Sequence, residues 1–269
     1  MKQHLFFLLL LSAFRIFAQV PEQYPFRAGE KLEYTVYYNL SWIWVNAADV
    51  SFSVSDSSYR QKEALFFLSC GSSNSSYDWI FEVRDTFCSF TNVENITPLT
   101  FSRNTKEGSS KTNNYYLFDL EHQNIYSFLK NSDSQLHLDT LPYNKPIRDV
   151  LSSTYYFRTI DFSEHSQGDT ISVNTIMDNE IIPINAIYLG IEEIRHKNEK
   201  LYTCYKFKTR AVKGTIFDSD SEIIIWISRD ENKIPIKIKA EILVGSVVAY
   251  LRTVEKPKIK SKLLEDFYK

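Results

Sequence analysis

The most regular stretch of the chain lies near its end, where Ile234, Ile236, Ile238, Ala240 and Ile242 alternate with Lys237, Lys239 and Glu241. That period of two is the pattern of a half-buried strand. Upstream, Ile223–Ile227 (IIIWI) is apolar on both faces, as in a strand covered on both sides, and Arg229–Lys233 (RDENK) supplies the turn between the two. Downstream, Gly245-Ser246 suits a tight hairpin turn into Val247–Val254, so three consecutive strands form a meander. Comparable turn signals at Gly108, Glu121–Asn124, Asp178-Asn179 and Lys197–Glu199 separate further alternating or apolar runs. The pattern predicts a mainly β chain: one large curved antiparallel sheet or an open half barrel, with two short helices. The helices are expected at Ser75–Val83, with Ser75 and Asp78 at capping-box spacing, and at Asp149–Arg158, where Asp149 caps and Leu151 and Tyr155 lie one turn apart.

Ser41–Val54 (SWIWVNAADVSFSV) places two tryptophans two residues apart. On an unbroken strand Trp42, Trp44, Val50 and Phe52 share one face, which either fills a core or lines a hollow for an apolar ligand. Ile43, Val45 and Ala47 make the other face apolar too, and Ala64–Cys70 (ALFFLSC) repeats the pattern. A sheet apolar on both sides has to be covered on both, and few helices are available to do it.

Composition agrees with strands, since there are 17 tyrosines and 19 phenylalanines but only 7 glycines, and no linker-like stretch divides the chain. The N-terminus carries Lys2, an apolar run and a small residue, the pattern of a cleaved signal peptide spanning residues 1–18, with residues 19–269 as a single all-β domain. Arg15 interrupts the run, which is shorter than the roughly 20 residues of a spanning helix. Loss of Lys2 and Arg15 takes the formal charge from -2 to about -4, which argues against a nucleic-acid partner. The expected location is periplasmic. Cys70, Cys88 and Cys204 allow one disulfide at most, between Cys70 and Cys88 if their strands are neighbours, or three buried thiols.

Several segments together resemble a family of exported bacterial envelope proteins known as domain of unknown function 3108: Phe26–Tyr34, Trp44–Asp49, Tyr77–Asp85, Asp149–Arg158, Trp226–Asp230, Ile234–Ile236 and Val244–Ser246. One departure is Ala48, where the family usually has a glycine after the Asn-Ala pair. The resemblance implies an envelope protein without an assigned activity. A fold similar to the half barrel of lipoprotein localisation carriers follows only by analogy, which does not settle function.

Chemical motifs are sparse. Ser152 and Ser153 lack a nucleophile elbow, the acidic run Asp218–Glu222 lacks the glycine and the last glutamate of a calcium loop, and His122, His137, His165 and His196 are far apart in turn-like stretches that predict exposed side chains. No metal, phosphate loop or other cofactor is expected, and no catalytic residue can be named. The first expectation is a non-enzymatic binder or carrier of a lipid or lipoprotein acyl chain, held in a hollow lined by Tyr34, Tyr38, Trp42, Trp44, Phe52 and Trp79. The alternative is an envelope interaction or assembly module with a filled core and an exposed edge or aromatic patch for a protein partner. An enzyme would need a convergent polar cleft, for which Asp85, Asp149 and Arg158 are the candidates.

Overall fold

The computed structural model describes residues 24–40, 42–132, 135–211, 221–242 and 244–268. The expected signal peptide and most of the acidic run Asp218–Glu222 lie outside these residues. Eight strands follow the entry segment: β1 (Lys31–Leu40), β2 (Ile43–Tyr59), β3 (Lys62–Ser73), β4 (Val83–Asn92), β5 (Pro98–Glu107), β6 (Ser110–Asp119), β7 (Asn124–Asn131) and β8 (His137–Pro142). Helix α1 (Val150–Thr159) leads to six more: β9 (Thr170–Met177), β10 (Glu180–Arg195), β11 (Leu201–Arg210), β12 (Glu222–Ser228), β13 (Pro235–Glu241) and β14 (Ser246–Glu255).

All fourteen form one antiparallel sheet in the order β8-β7-β6-β5-β4-β3-β2-β1-β14-β13-β12-β11-β10-β9. The expected β12–β13–β14 meander is therefore present. So are the turns: Asp178 and Asn179 take φ of +49° and +64° between the paired Met177 and Glu180, a two-residue hairpin turn whose twist matches its strands. Gly245 has φ +84°, and a Cβ there would sit 2.3 Å from the Asn39 carbonyl oxygen, so only glycine fits. Of the two arrangements open to the cysteines, the Cys70–Cys88 bridge is not formed: Cys70 pairs with Thr86 and Leu68 with Cys88, which leaves the two thiols diagonal on neighbouring strands and free, and of the three only Cys204 is buried.

The sheet is open but curled, and α1 crosses its concave face on the way from one edge strand to the other. Asp149 caps α1 as predicted, accepting from the Leu151 and Ser152 amides at 2.8 and 3.0 Å, while Ser152 Oγ closes the capping box. Leu151 and Tyr155 face the sheet, and the Tyr155 ring stacks on Phe67 at 4.0 Å with Phe26 edge-on at 5.0 Å. Phe157 in the last turn of the helix and Phe162 just past it pack on Phe207. Opposite edges approach without joining: the β9–β10 turn reaches across to β5 and β7, through an Asp178–Arg103 ion pair and a 2.6 Å bond from Ser127 to Asn179. The second expected helix is a single 3-10 turn, Ser75–Tyr77, capped by Asn74 rather than Ser75. Asp78 does not cap anything there, because Arg84 and Ser73 bind its carboxylate at 2.5 Å each.

One buried ion pair fastens this arrangement. The guanidinium of Arg158 donates to both oxygens of Glu30 at 2.6 and 3.1 Å and to the Asn232 carbonyl at 2.9 Å, with both side chains almost wholly inaccessible. Removing one partner of such a pair leaves an uncompensated charge, so Arg158→Met is expected to cost about 3–5 kcal/mol in urea unfolding. Tyr155 presents the opposite case: its hydroxyl is buried and meets no partner among the described residues. Tyr155→Phe should therefore hold or raise the midpoint, and a clear loss would contradict this description of the core.

Candidate functional site

The six residues expected to line one hollow are split between two faces of the sheet and one of its ends. Val36 pairs with Ala48 but Tyr37 pairs with Asn46, so Ala47 is an extra, unpaired residue, and its carbonyl accepts from the Asn74 amide at 2.7 Å instead. A bulge of one residue reverses the alternation beyond it. Tyr34 and Phe52 therefore face inward, edge to face at 5.9 Å, with the Tyr34 hydroxyl satisfied by the Pro235 carbonyl at 3.0 Å. Trp44 turns to the outer face beside Tyr37, where the Lys197 ammonium lies 3.9 Å from the tyrosine ring and 5.2 Å from the indole. The expectation that Trp42, Trp44, Val50 and Phe52 share a face is thus corrected by a bulge within the Trp-Val-Asn-Ala-Ala segment. Tyr34 is 2% exposed, and the concave face beside it is packed.

What the sequence hides is where the other tryptophans go. Trp42 sits in the β1–β2 turn at 84% exposure, and Trp79, in the β3–β4 connection, at 82%. Both turns belong to the same end of the sheet. Val244, exposed in the adjoining β13–β14 turn, accepts a hydrogen bond from the Tyr38 hydroxyl, and Phe81 lies over Gly108 of the β5–β6 turn. With Ile80, these residues form an apolar rim along four neighbouring turns. The β3–β4 connection is pinned: the Trp79 indole N–H donates to the Ser76 carbonyl at 3.1 Å, and the Asp78 carboxyl is held below its usual range by Arg84 and Ser73. Apolar residues inside turn segments, Trp79–Phe81 above all, were the signal for this rim; a helix face was the wrong home for them.

The candidates for a polar cleft do not converge. Asp149 is fully buried, where burial pushes its carboxyl up against the pull of Ser89, Ser152 and two amides. Arg158 is committed to Glu30. His196, expected in an exposed loop, is instead buried among Tyr202, Tyr250 and Phe267, because the β10–β11 turn folds back over β14 and the C-terminal segment. Asp85 stands apart, with burial first and the Glu107 charge second pushing its carboxyl up to about 6. A carboxyl whose folded pKa exceeds its unfolded one destabilises the fold once ionised. Asp85→Asn should therefore match the wild type in thermal stability below pH 4 and gain on it progressively between pH 4 and 6, with the full gain at pH 8. A constant difference across that range would contradict the assignment.

Residues 33–252 match the model of a protein family described as protein of unknown function (DUF3108). Among curated proteins none matches the chain. Of solved structures, a β-barrel-like protein of the DUF1849 family from Brucella abortus is similar over 84% of this chain and 96% of its own, with TM-score 0.54 at 7% identity, which shows a shared fold and nothing further. A DUF1329 family protein from Desulfovibrio piger ATCC 29098 aligns over 88% of each chain at 11% identity with TM-score 0.21, too low to carry an argument. The family match covers most of the strands just described, together with the capped helix and the bulged tryptophan segment, and the chain belongs to the DUF3108 family.

Proposed function

We propose that the protein is a non-enzymatic interaction module of the cell envelope, exported by its N-terminal segment, which docks a protein partner on the tryptophan rim. The observation that carries this reading is the placement of Trp42 and Trp79, each more than four-fifths exposed on turns at one end of a sheet whose concave face is already filled by α1. Tryptophan is costly to leave in water and is enriched at binding surfaces, where its large rigid ring gives contact area at little entropic cost. The carrier reading requires an acyl chain in the space that Tyr155, Phe26 and Phe67 occupy, so it has less support. An apolar ligand would have to use the rim.

The test replaces Trp42 or Trp79 by a photoreactive benzoylphenylalanine in the full chain, with Glu121 in the β6–β7 turn at the opposite end as control, and irradiates envelope fractions. One dominant protein adduct is expected from positions 42 and 79 and none from 121. Excess wild-type protein should compete it away, whereas Trp42→Ser/Trp79→Ser protein should not. That double variant should keep its unfolding free energy within about 0.5 kcal/mol of the wild type, since exposed side chains contribute little. Adducts to lipid alone would transfer the rim to the apolar-ligand reading, and equal adducts at all three positions would end its claim to be a site.

A further inference from the structure

At the end of the sheet opposite the tryptophan rim, the β12–β13 turn, the end of α1, the entry segment and the C-terminal segment border an open cleft of about 760 Å³. The Arg158 pair holds its walls in place, since the guanidinium binds the carbonyls of Pro25 on one side and Asn232 on the other. Three cations line the cleft: Arg229 and Lys233 from the turn, and Lys258 from the C-terminal segment.

These cations are short of counter-ions. Lys258 donates to the Tyr24 carbonyl at 2.6 Å and Lys233 to the Ile160 carbonyl, while the Arg229 side chain makes no hydrogen bond or ion pair among the described residues. A carbonyl satisfies an N–H but leaves the charge unpaired. Burial pulls the Lys233 ammonium below its ordinary range despite the opposing charge of Asp161, so its charge is costly where it stands. Formally three carboxylates at the cleft match the three cations, but hydrogen bonds hold two of them elsewhere. Asp230 accepts from Ser228 Oγ at 2.7 Å, from Asn232 Nδ2 at 3.3 Å and from Ser261 Oγ, which engages both of its oxygens. Asp161 accepts from the Ser163 amide and hydroxyl at 2.9 and 2.7 Å. Glu231 is exposed. What the cleft leaves unspent is the whole donor fork of Arg229 and the remaining hydrogens of both lysines.

We propose that this cleft binds the phosphate group of a phosphate monoester, with Arg229 as its bidentate anchor and Lys233 and Lys258 on the remaining oxygen. A monoester phosphate offers three terminal oxygens and about two negative charges, where a carboxylate offers two oxygens and one charge. A guanidinium takes two phosphate oxygens through parallel N–H bonds, which leaves the third for point-charge donors such as lysines. The cleft is larger than a phosphate group alone, and Pro25, Tyr205 and Ile259 give the esterified alcohol a less polar wall. The charge of Glu231 opposes such a ligand, which fixes the sign of one test.

Isothermal titration of the full chain with glycerol 3-phosphate, with glycerol and succinate as controls, reads the site. Glycerol 3-phosphate should bind saturably, glycerol not at all, and succinate at least tenfold more weakly. Arg229→Gln and Lys258→Gln should each weaken binding roughly tenfold or more. Arg229 is exposed, so that variant keeps the fold even if Lys258→Gln does not. Glu231→Gln should tighten binding about threefold by removing an opposing charge. Trp42→Ser/Trp79→Ser protein should bind as the wild type does, which separates this site from the rim. Flotation with phosphatidylcholine vesicles, with and without phosphatidic acid, identifies the source of the phosphate: retention that requires both phosphatidic acid and Arg229 supports a lipid head group, and titration without such retention supports a soluble ester. Failure of glycerol 3-phosphate to bind, together with vesicle retention unmoved by Arg229→Gln, overturns the site. So does an affinity that Arg229→Gln and Lys258→Gln leave unchanged, or succinate binding as tightly as the ester.

Discussion

The guanidinium of Arg158, held between the oxygens of Glu30 and the carbonyls of Asn232 and Pro25, ties together three segments that are far apart in the chain. It fixes the last turn of α1 to the entry segment before β1 and to the β12–β13 turn. Asn232 in turn exchanges two hydrogen bonds with Ile259 of the C-terminal segment, at 2.7 and 3.1 Å. The pair lies under the rings of Phe26 and Tyr155, which exclude water from it. An open sheet of fourteen strands has no closing ladder to hold its curl, so a charge that can be satisfied only when helix, entry segment and turn are all in place does part of that work.

Filling follows from fastening. With α1 held against the sheet, the aromatic layer of Phe26, Phe67 and Tyr155 closes the space in which an acyl chain would otherwise lie. The apolar surface left over is on the turns.

Much of the fold was legible because its signals are local. Alternation named the β12–β13–β14 meander, turn chemistry placed Asp178-Asn179 and Gly245, and Asp149 announced α1 through its own capping bonds. The tryptophan face was lost to a single extra residue, Ala47, since alternation carries no record of a bulge. Trp79 and Ile80 mimicked a helix face, but the Arg84 and Ser73 contacts of Asp78 favoured a short pinned turn. His196 was misplaced because its cover comes from β14 and the C-terminal segment, more than 50 residues away. The surroundings of Asp85 were hidden as well, since Glu107 and Arg103 come near it only through the β4–β5 register.

Hydrogen–deuterium exchange of the α1 amides tests the central claim most directly, because it asks whether the helix is part of the core or a removable occupant of the hollow. A fastened helix exchanges only when the whole sheet unfolds, so Ser153–Thr159 should show the same protection free energy as the central strands β1, β2 and β14. Exchange of those amides through a separate, low-energy opening, with the strands still protected, would mean that the concave face can be vacated and would contradict the filled-core account.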